Sequence, residues 1–296
     1  MKKRFTAVVL CLLAAFGLSG CGAKKGVTVG SKQFTENILL GEIYAQLIEA
    51  GTDIPVSRKL NLGGTSVCMP AMEKGEIDIY FEYSGTAFNE ILDREMIPGI
   101  SAKEIFDTSR DGMFQKGFTL FEPLGLNNTY AIAMKKEKAE KLGVSKISDL
   151  AQFAPELKFG ANHNFYTRVH DGYDGLVSAY GLEFADSMKM DTSLLYEAVA
   201  ADDLDVMVVY GTDSLLRKYD MVLLDDDRLL FPPYQGAPLC RSETLEKYPE
   251  LREILNTFSG KVDNSTIQEL NYQVDVEKHP VEEVAAEFLK NNGYKQ

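Results

Sequence analysis

The chain has 296 residues and a formal net charge of −13, from 44 Asp and Glu residues against 31 Lys and Arg residues. This acidic balance argues against a nucleic acid or an anionic lipid as the main partner, because cationic surfaces bind both. The length fits one large domain or two of medium size, and four Cys residues are too few for a disulfide scaffold.

The N-terminus has the pattern of an export signal. Basic residues at 2–4 precede an uncharged apolar run at 5–18, which is too short to span a bilayer comfortably. The run ends in the sequence LSGC, which resembles the bacterial lipobox, with Cys21 as the acylated residue. We predict a signal peptide at 1–20, a lipidated tether at 21–26 and a product outside the cytoplasm, anchored to a bacterial membrane. The alternative is an ordinary transmembrane anchor with an unmodified Cys.

Strands and helices alternate along the rest of the chain. A strand at 27–29 precedes a helix from Thr35 to Gly51, in which apolar residues recur at four-residue spacing. Further predicted elements are strands at 56–60, 77–81, 157–159, 206–210 and 221–224, then helices at 66–74, 148–153, 193–200, 212–218, 243–258 and 281–291. This alternation predicts an α/β protein with largely parallel sheets, divided into two lobes.

Nothing in the sequence indicates catalysis. Of the three His residues, His163, His170 and His279, the first two are seven residues apart and have no Cys or carboxylate at metal-ligand spacing. The acidic run 225–227 lacks the spacing of a calcium loop. A nucleophile elbow, a P-loop and a dinucleotide fingerprint are also missing from the sequence. We therefore expect no cofactor, no metal and no enzymatic activity.

Four tyrosines stand where predicted strands end, beside Gly, Ser or Thr: Tyr83, Tyr130, Tyr210 and Tyr234. Ligands of open α/β sheets bind outside the carboxyl ends of the strands. Aromatic ring faces attract cations, and a quaternary ammonium, which has no N–H to donate, is held by such faces. The alternative for each Tyr is a half-buried ring with its hydroxyl at the surface.

A series of segments, in order along almost the whole chain after the signal, carries a family resemblance. They are GSKQFTE (30–36), GGT (63–65), GEIDIYFEYSGT (75–86), NNTYA (127–131), Arg168 with DGY (171–173), VVYGTD (208–213), FPPY (231–234) and APL (237–239). Together they resemble the glycine betaine/choline/carnitine-binding proteins of ABC osmoprotectant importers.

The resemblance implies a type II periplasmic-binding-protein fold with a hinge and an interlobe ligand cleft. Lobe 1 takes residues 27–128 plus 230–296 and lobe 2 takes 129–229, with crossing strands near Thr129 and Leu229. The implied site is a cage for a quaternary ammonium and polar groups for a carboxylate. The cage residues are Tyr83, Tyr130, Tyr210 and Tyr234, and the carboxylate residues are Thr86, Arg168 and either Lys32 or Gln33. The alternative for Arg168 is a surface side chain paired with Asp171.

The implied function is capture of glycine betaine, choline, carnitine or a similar osmoprotectant by lobe closure. Delivery to an ABC permease, and through it to the ATPase, follows, and we expect a monomer. The alternatives are a binding protein for another polar solute such as an amino acid, a solute sensor, or an extracytoplasmic α/β hydrolase. Cys68 and Cys240 both map to lobe 1. They either form a disulfide or are two separate buried thiols, and the sequence does not decide between the two.

Overall fold

The computed structural model describes residues 26–97, 99–168 and 170–294. The predicted signal peptide, the lipidation site at Cys21 and the tether up to residue 25 lie outside these ranges. Within them, no helix combines the length and the apolar composition that crossing a bilayer demands.

In the described part of the chain, ten strands form two five-stranded sheets. The strands are Val27–Lys32 (β1), Val56–Gly63 (β2), Ile79–Tyr83 (β3), Phe118–Leu120 (β4), Tyr130–Lys135 (β5), Lys158–Ala161 (β6), Asp186–Lys189 (β7), Val206–Tyr210 (β8), Met221–Leu224 (β9) and Gly236–Arg241 (β10). The first sheet has the order β2-β1-β3-β10-β4, and the second has the order β7-β6-β8-β5-β9.

Helices cover both faces of each sheet. The α-helices are Thr35–Gly51 (α1), Thr65–Glu73 (α2), Ala102–Gln115 (α3), Lys136–Leu142 (α4), Tyr173–Tyr180 (α5), Thr192–Ala200 (α6), Leu215–Lys218 (α7), Ser242–Lys247 (α8), Leu251–Leu255 (α9), Asn264–Asp275 (α10) and Val281–Asn291 (α11). Shorter helical turns lie at Ser84–Thr86, Ala87–Ile91, Ile147–Gln152, Ala154–Glu156 and Phe165–Thr167.

The sheets are mixed, so the expectation of largely parallel sheets is wrong. In the first sheet β1 runs parallel to β2 and β3, but β10 runs antiparallel to β3 and β4. In the second sheet β6 runs parallel to β7 and β8, but β5 runs antiparallel to β8 and β9. Both antiparallel partners, β5 and β10, are the strands that the chain forms just after crossing from one sheet to the other. Consecutive strands of one sheet are parallel when a helix crossover connects them. A strand that follows a crossing between sheets has no such connection to its neighbours and can run antiparallel to them.

Apolar side chains fill the space on both faces of each sheet. In β3, Ile79 and Phe81 pack into one cluster with α1, while Tyr80 packs into another cluster with α2. In β8, Val206 and Met207 likewise face different clusters. This burial on both faces explains why the two strands are nearly continuous apolar runs without the alternation of a half-exposed strand.

The C-terminal part differs from the sequence-based expectation. The predicted helix over 243–258 is two helices, α8 and α9, because the backbone of Tyr248, which precedes Pro249, is not helical. Helix α10 was not predicted at all. The first sheet takes its strands from residues 27–120 and 236–241, and the second takes its strands from residues 130–224. The lobe boundaries at 128/129 and 229/230 stay a prediction.

The two remaining cysteines are free and buried, which corrects the disulfide hypothesis. Cys68 lies on α2 and packs in the cluster that this helix shares with Tyr80. Its sulfur lies 3.6 Å from the main-chain oxygen of Ser31. Cys240 packs in the separate cluster beside α1. Burial raises the pKa of both thiols, that of Cys68 to about 11, so both stay protonated and unreactive.

Candidate functional site

A cavity of about 600 Å³ lies where the two sheets meet. Strand ends from both sheets line it, together with the start of α1 and the end of α10. Its lining residues are Lys32, Phe34, Thr35, Glu36, Tyr83, Thr86, Glu90, Asn128, Thr129, Tyr130, Arg168, Tyr210, Thr212, Asp213, Ser214, Tyr234, Asn271 and Asp275. Seven of the eight predicted site residues are in this set. The exception is Gln33, whose side chain is exposed and whose backbone N–H donates to the oxygen of Gly63 at 3.1 Å.

Strand register brings two of the tyrosines together. Tyr130 and Tyr210 stand directly opposite each other on the antiparallel strands β5 and β8. Their ring centroids are 5.0 Å apart and their planes differ by 20°. Tyr210 stays 41% exposed because its side chain lies at the end of the sheet, on the cavity. The pair forms an aromatic wall on the side of the second sheet.

Arg168 joins this wall. Its guanidinium carbon lies 5.2 Å from the centroid of the Tyr130 ring. The same guanidinium forms a two-point ion pair with Asp171, in which Nε donates to Oδ1 at 2.7 Å. Arg168 therefore makes the ion pair of the alternative interpretation, but it does so while lining the cavity. A guanidinium has five N–H donors, so the pair with Asp171 leaves donors over.

Tyr83 and Tyr234 come from the first sheet. The Tyr83 hydroxyl donates to Oε1 of Glu36 at 2.5 Å, and its ring stacks on Phe34 with centroids 6.1 Å apart. The Tyr234 ring lies against Gly85, where a Cβ atom would stand 2.7 Å from its Cδ1. Only a residue without a side chain lets this ring come so close.

Lys32 is committed to a buried ion pair. Its Nζ lies 2.5 Å from Oε1 of Glu82, and the two side chains are 6% and 0% exposed. Glu82 also accepts from the hydroxyls of Tyr80 and Thr65 and from the backbone N–H of Tyr83. Lys32 thus lines the cavity with a charge that its neighbour already balances.

The other end of the cavity is acidic, and its residues are not among those predicted from the sequence. Glu36 is 3% exposed, and its carboxyl faces the side chains of Thr212 and Asn271. Within the described residues its Oε2 has no partner in hydrogen-bonding geometry. Burial raises the pKa of Glu36, and hydrogen bonds, the largest from Tyr83, oppose that rise. Burial also raises the pKa of Asp213. Asp275 accepts from the hydroxyls of Thr35 and Ser214.

Helix α10 supplies part of this end and also links the two sheets. Gln268 donates to the oxygen of Gly211 at 2.8 Å, and Asn271 donates to the oxygen of Thr212 at 3.1 Å. These acceptors belong to the loop after β8, whereas α10 packs on α1 beside the first sheet. Asn264, Gln268, Asn271 and Asp275 recur at the spacing of one helix face, and this polar stripe was the sequence signal that could have revealed them. Glu36 could not be recognised as a cavity residue, because an acidic side chain in the first turn of a helix normally interacts with the helix dipole.

Among the described residues, no group of three or more His, Cys, Asp or Glu side chains is arranged to hold a metal ion. The cavity offers instead aromatic faces, one guanidinium and several carboxylates. Two α/β lobes with such a cavity between them define a solute-binding protein of the periplasmic type.

The chain belongs to the OpuAC family, described as the substrate binding domain of the ABC-type glycine betaine transport system, whose model matches residues 25–291. Over 97% of its length it is 35% identical to the ergothioneine transport permease/ergothioneine binding protein EgtU of Helicobacter pylori, of which it spans about half, 52%. Over 99% of its length it is 33% identical to the carnitine transport binding protein OpuCC of Listeria monocytogenes, of which it covers 98%.

Solved structures agree with the family. A crystal structure of a glycine betaine/carnitine/choline ABC transporter protein matches 90% of this chain and 99% of its own, with a TM-score of 0.87 and 32% identity. The predicted family and the two-lobed α/β fold are confirmed. The chain is a substrate-binding protein of an ABC importer: it acts outside the cytoplasm on a small molecule, and its partner is a permease. The family is one of transport proteins.

Proposed function

We propose that the cavity captures a quaternary ammonium solute that also carries a carboxylate, and that the chain delivers it to the permease by lobe closure. One observation carries the proposal: the rings of Tyr83, Tyr130, Tyr210 and Tyr234 all line one cavity, with Arg168 beside them. Glycine betaine, carnitine and ergothioneine, the solutes in the names of its relatives, all contain a trimethylammonium group and a carboxylate.

The two groups of such a solute would have different partners. Each ring face in contact with the trimethylammonium group contributes about 0.5–2 kcal/mol when water is excluded. Arg168 is the better partner for the carboxylate, because its planar fork has donors beyond those that Asp171 uses. Thr86 lines the same cavity and can donate its hydroxyl, whereas the charge of Lys32 is already balanced by Glu82.

Closure follows from where these groups sit. Tyr130, Tyr210 and Arg168 belong to the part of the chain that forms the second sheet. Tyr83 is the last residue of β3 and Tyr234 lies just before β10, both in the first sheet. A ligand that touches both sets gains contacts only when the lobes approach, so it favours the closed form by that difference. We also propose that the chain works as a monomer held to the membrane by lipid on Cys21.

The test uses Tyr210, since its exposure allows substitution without a change in the core. We expect Tyr210→Leu to raise the Kd for glycine betaine by roughly 2–30-fold in calorimetry, from the loss of one cation–π contact. Tyr210→Phe keeps the ring face and is the matched control, with a smaller effect. Equal effects of the two substitutions would remove Tyr210 from the cage, and no binding of any quaternary amine would refute the proposal.

A second candidate ligand class is an amino acid. The observation in its favour is the buried carboxylate of Glu36 on the cavity wall, since an α-ammonium needs such an acceptor. A thermal-shift series with glycine betaine, carnitine, choline and free amino acids separates the two classes, because a ligand of the native state raises the Tm by mass action.

A further inference from the structure

Helix α10 contacts the opposite lobe along one of its sides. The helix packs on α1 beside the first sheet, so it moves with that lobe. Its polar side chains reach the segment 211–218, which follows β8 of the second sheet. We call this set of contacts the α10 seam, and its members on the helix are Asn264, Gln268, Glu269, Asn271 and Asp275. The seam connects the lobes in addition to the two segments by which the chain crosses between them.

The seam begins at one of these crossing segments. The side chain of Asn264 accepts from the backbone N–H of Asn127 at 2.7 Å and donates to the oxygen of Gly211 at 3.1 Å. Gly211 in turn donates its N–H to the oxygen of Thr129 at 2.9 Å. Asn127 and Thr129 lie on the stretch of chain between β4 and β5. Contacts at a hinge change little when the lobes rotate about it, so this end of the seam is compatible with an open and a closed form.

The opposite end of the seam lies farther from the crossing. Asp275 ends the helix that Asn264 begins, which is about 16 Å away along the axis. Its carboxylate accepts from the hydroxyl of Thr35 at 2.6 Å and from the hydroxyl of Ser214 at 3.1 Å. Thr35 begins α1 and moves with α10, whereas Ser214 follows β8. Asp275 therefore keeps one donor when the lobes separate and gains the second only when they approach.

An ion pair strengthens this outer part of the seam. Nη2 of Arg217 on α7 lies 2.8 Å from Oε2 of Glu269 on α10. The other oxygen of Glu269 accepts from Gln273 of the same helix at 3.0 Å, which orients the carboxylate independently of Arg217. Arg217 and Glu269 both lie outside the lining of the ligand cavity. The pair can therefore affect ligand binding only through the arrangement of the lobes.

We propose that two contacts form a closure latch, namely Arg217 with Glu269 and Ser214 with Asp275. The latch stabilises the closed arrangement of the lobes and thereby sets the affinity for the ligand. When a ligand is held only by the closed form, its apparent Kd is the intrinsic Kd divided by the closed fraction of the free protein. A weaker latch lowers that fraction and raises the Kd by the same factor. The inference rests on the proposed function, since it requires closure around a solute.

The experiment measures glycine betaine binding by calorimetry and its rates by stopped flow in variants of the ion pair. Arg217→Glu replaces attraction by repulsion in a half-exposed pair, and we expect the Kd to rise by roughly 2–30-fold. The rise should come from faster dissociation, because the ligand enters the open form, in which the pair is not made. The charge swap Arg217→Glu/Glu269→Arg restores the attraction and should return the Kd to within about twofold of wild type.

The matched control is Lys218→Glu, the same change of charge at the next position of α7. The Lys218 ammonium lies over the ring of Tyr219 in its own lobe, so we expect an unaltered Kd. The Tm of each ligand-free variant is measured as well, because a pair that only stabilises the fold would lower the Tm and leave the Kd unchanged.

The outcomes separate this inference from the proposed function. If Arg217→Glu binds glycine betaine like Lys218→Glu, or if the charge swap does not restore the Kd, the latch is refuted, while binding by the wild type keeps the proposed function. If the wild type binds a free amino acid and no quaternary amine, the proposed ligand class is wrong, and the same comparison of Kd values with that amino acid decides on the latch. A wild-type chain that binds none of these solutes would refute both.

Discussion

The buried ion pair between Lys32 and Glu82 allows a quantitative test of how the first sheet tolerates a charge in its core. In Lys32→Met the carboxylate of Glu82, 0% exposed, loses its only cationic partner within the described part of the chain. Removal of one partner of a buried pair typically costs about 3–5 kcal/mol. Three donors remain, from Tyr80, Thr65 and the backbone of Tyr83, and they place the loss near the lower value, about 3 kcal/mol.

Calorimetric melting measures this loss. At roughly 2–4 °C per kcal/mol for a chain of this size class, the Tm of Lys32→Met should fall by about 6–12 °C. The double variant Lys32→Met/Glu82→Gln should recover most of the loss, because a neutral amide accepts from the Tyr83 N–H and donates to the hydroxyls of Tyr80 or Thr65. Lys103→Met, which breaks an exposed pair, is the matched control with no measurable change expected. If Lys32→Met melts like Lys103→Met, the buried pair does not stabilise the fold and the reasoning is wrong.

Two other predictions concern the cavity wall. Gly85→Ala should push the Tyr234 ring aside, lower the free energy of unfolding by about 1–3 kcal/mol and weaken glycine betaine binding in calorimetry. Gly64→Ala is the control and should change neither quantity, because no atom lies near its added Cβ. Unaltered binding by Gly85→Ala would show that the position of Tyr234 is not critical. Burial raises the pKa of Glu36 above its ordinary 4.5. The stability that this group contributes is therefore fully present below pH 4.5 and is lost as the pH rises through the folded-state pKa, where the buried carboxyl ionises. The Tm of Glu36→Gln relative to wild type should therefore increase from pH 4.5 to pH 7.5 in the ligand-free protein, and a constant difference would show that Glu36 has no shifted pKa.

Much of the fold could be predicted because the signals are local. Three elements have the predicted bounds: the helix Thr35–Gly51 and the strands Val206–Tyr210 and Met221–Leu224. Their signals, the spacing of apolar residues and the Gly residues that end an element, depend on only a few neighbouring residues. The direction of the strands could not be predicted, because it depends on which sheet the chain enters after each crossing. Helix α10 was missed because its buried face is short and its other face is polar.

The site divides in the same way. The sequence by itself determined the family, the two-lobed class and the set of tyrosines that line the cavity. These follow from residue types at strand ends and from the order of the motifs, both of which can be read along the chain. Only the tertiary structure decided that Lys32 is balanced by Glu82 and that Glu36 meets Asn271 from the far end of the chain. Residues so distant in sequence become neighbours only through packing, and whether a buried oxygen has a donor depends on every element around it.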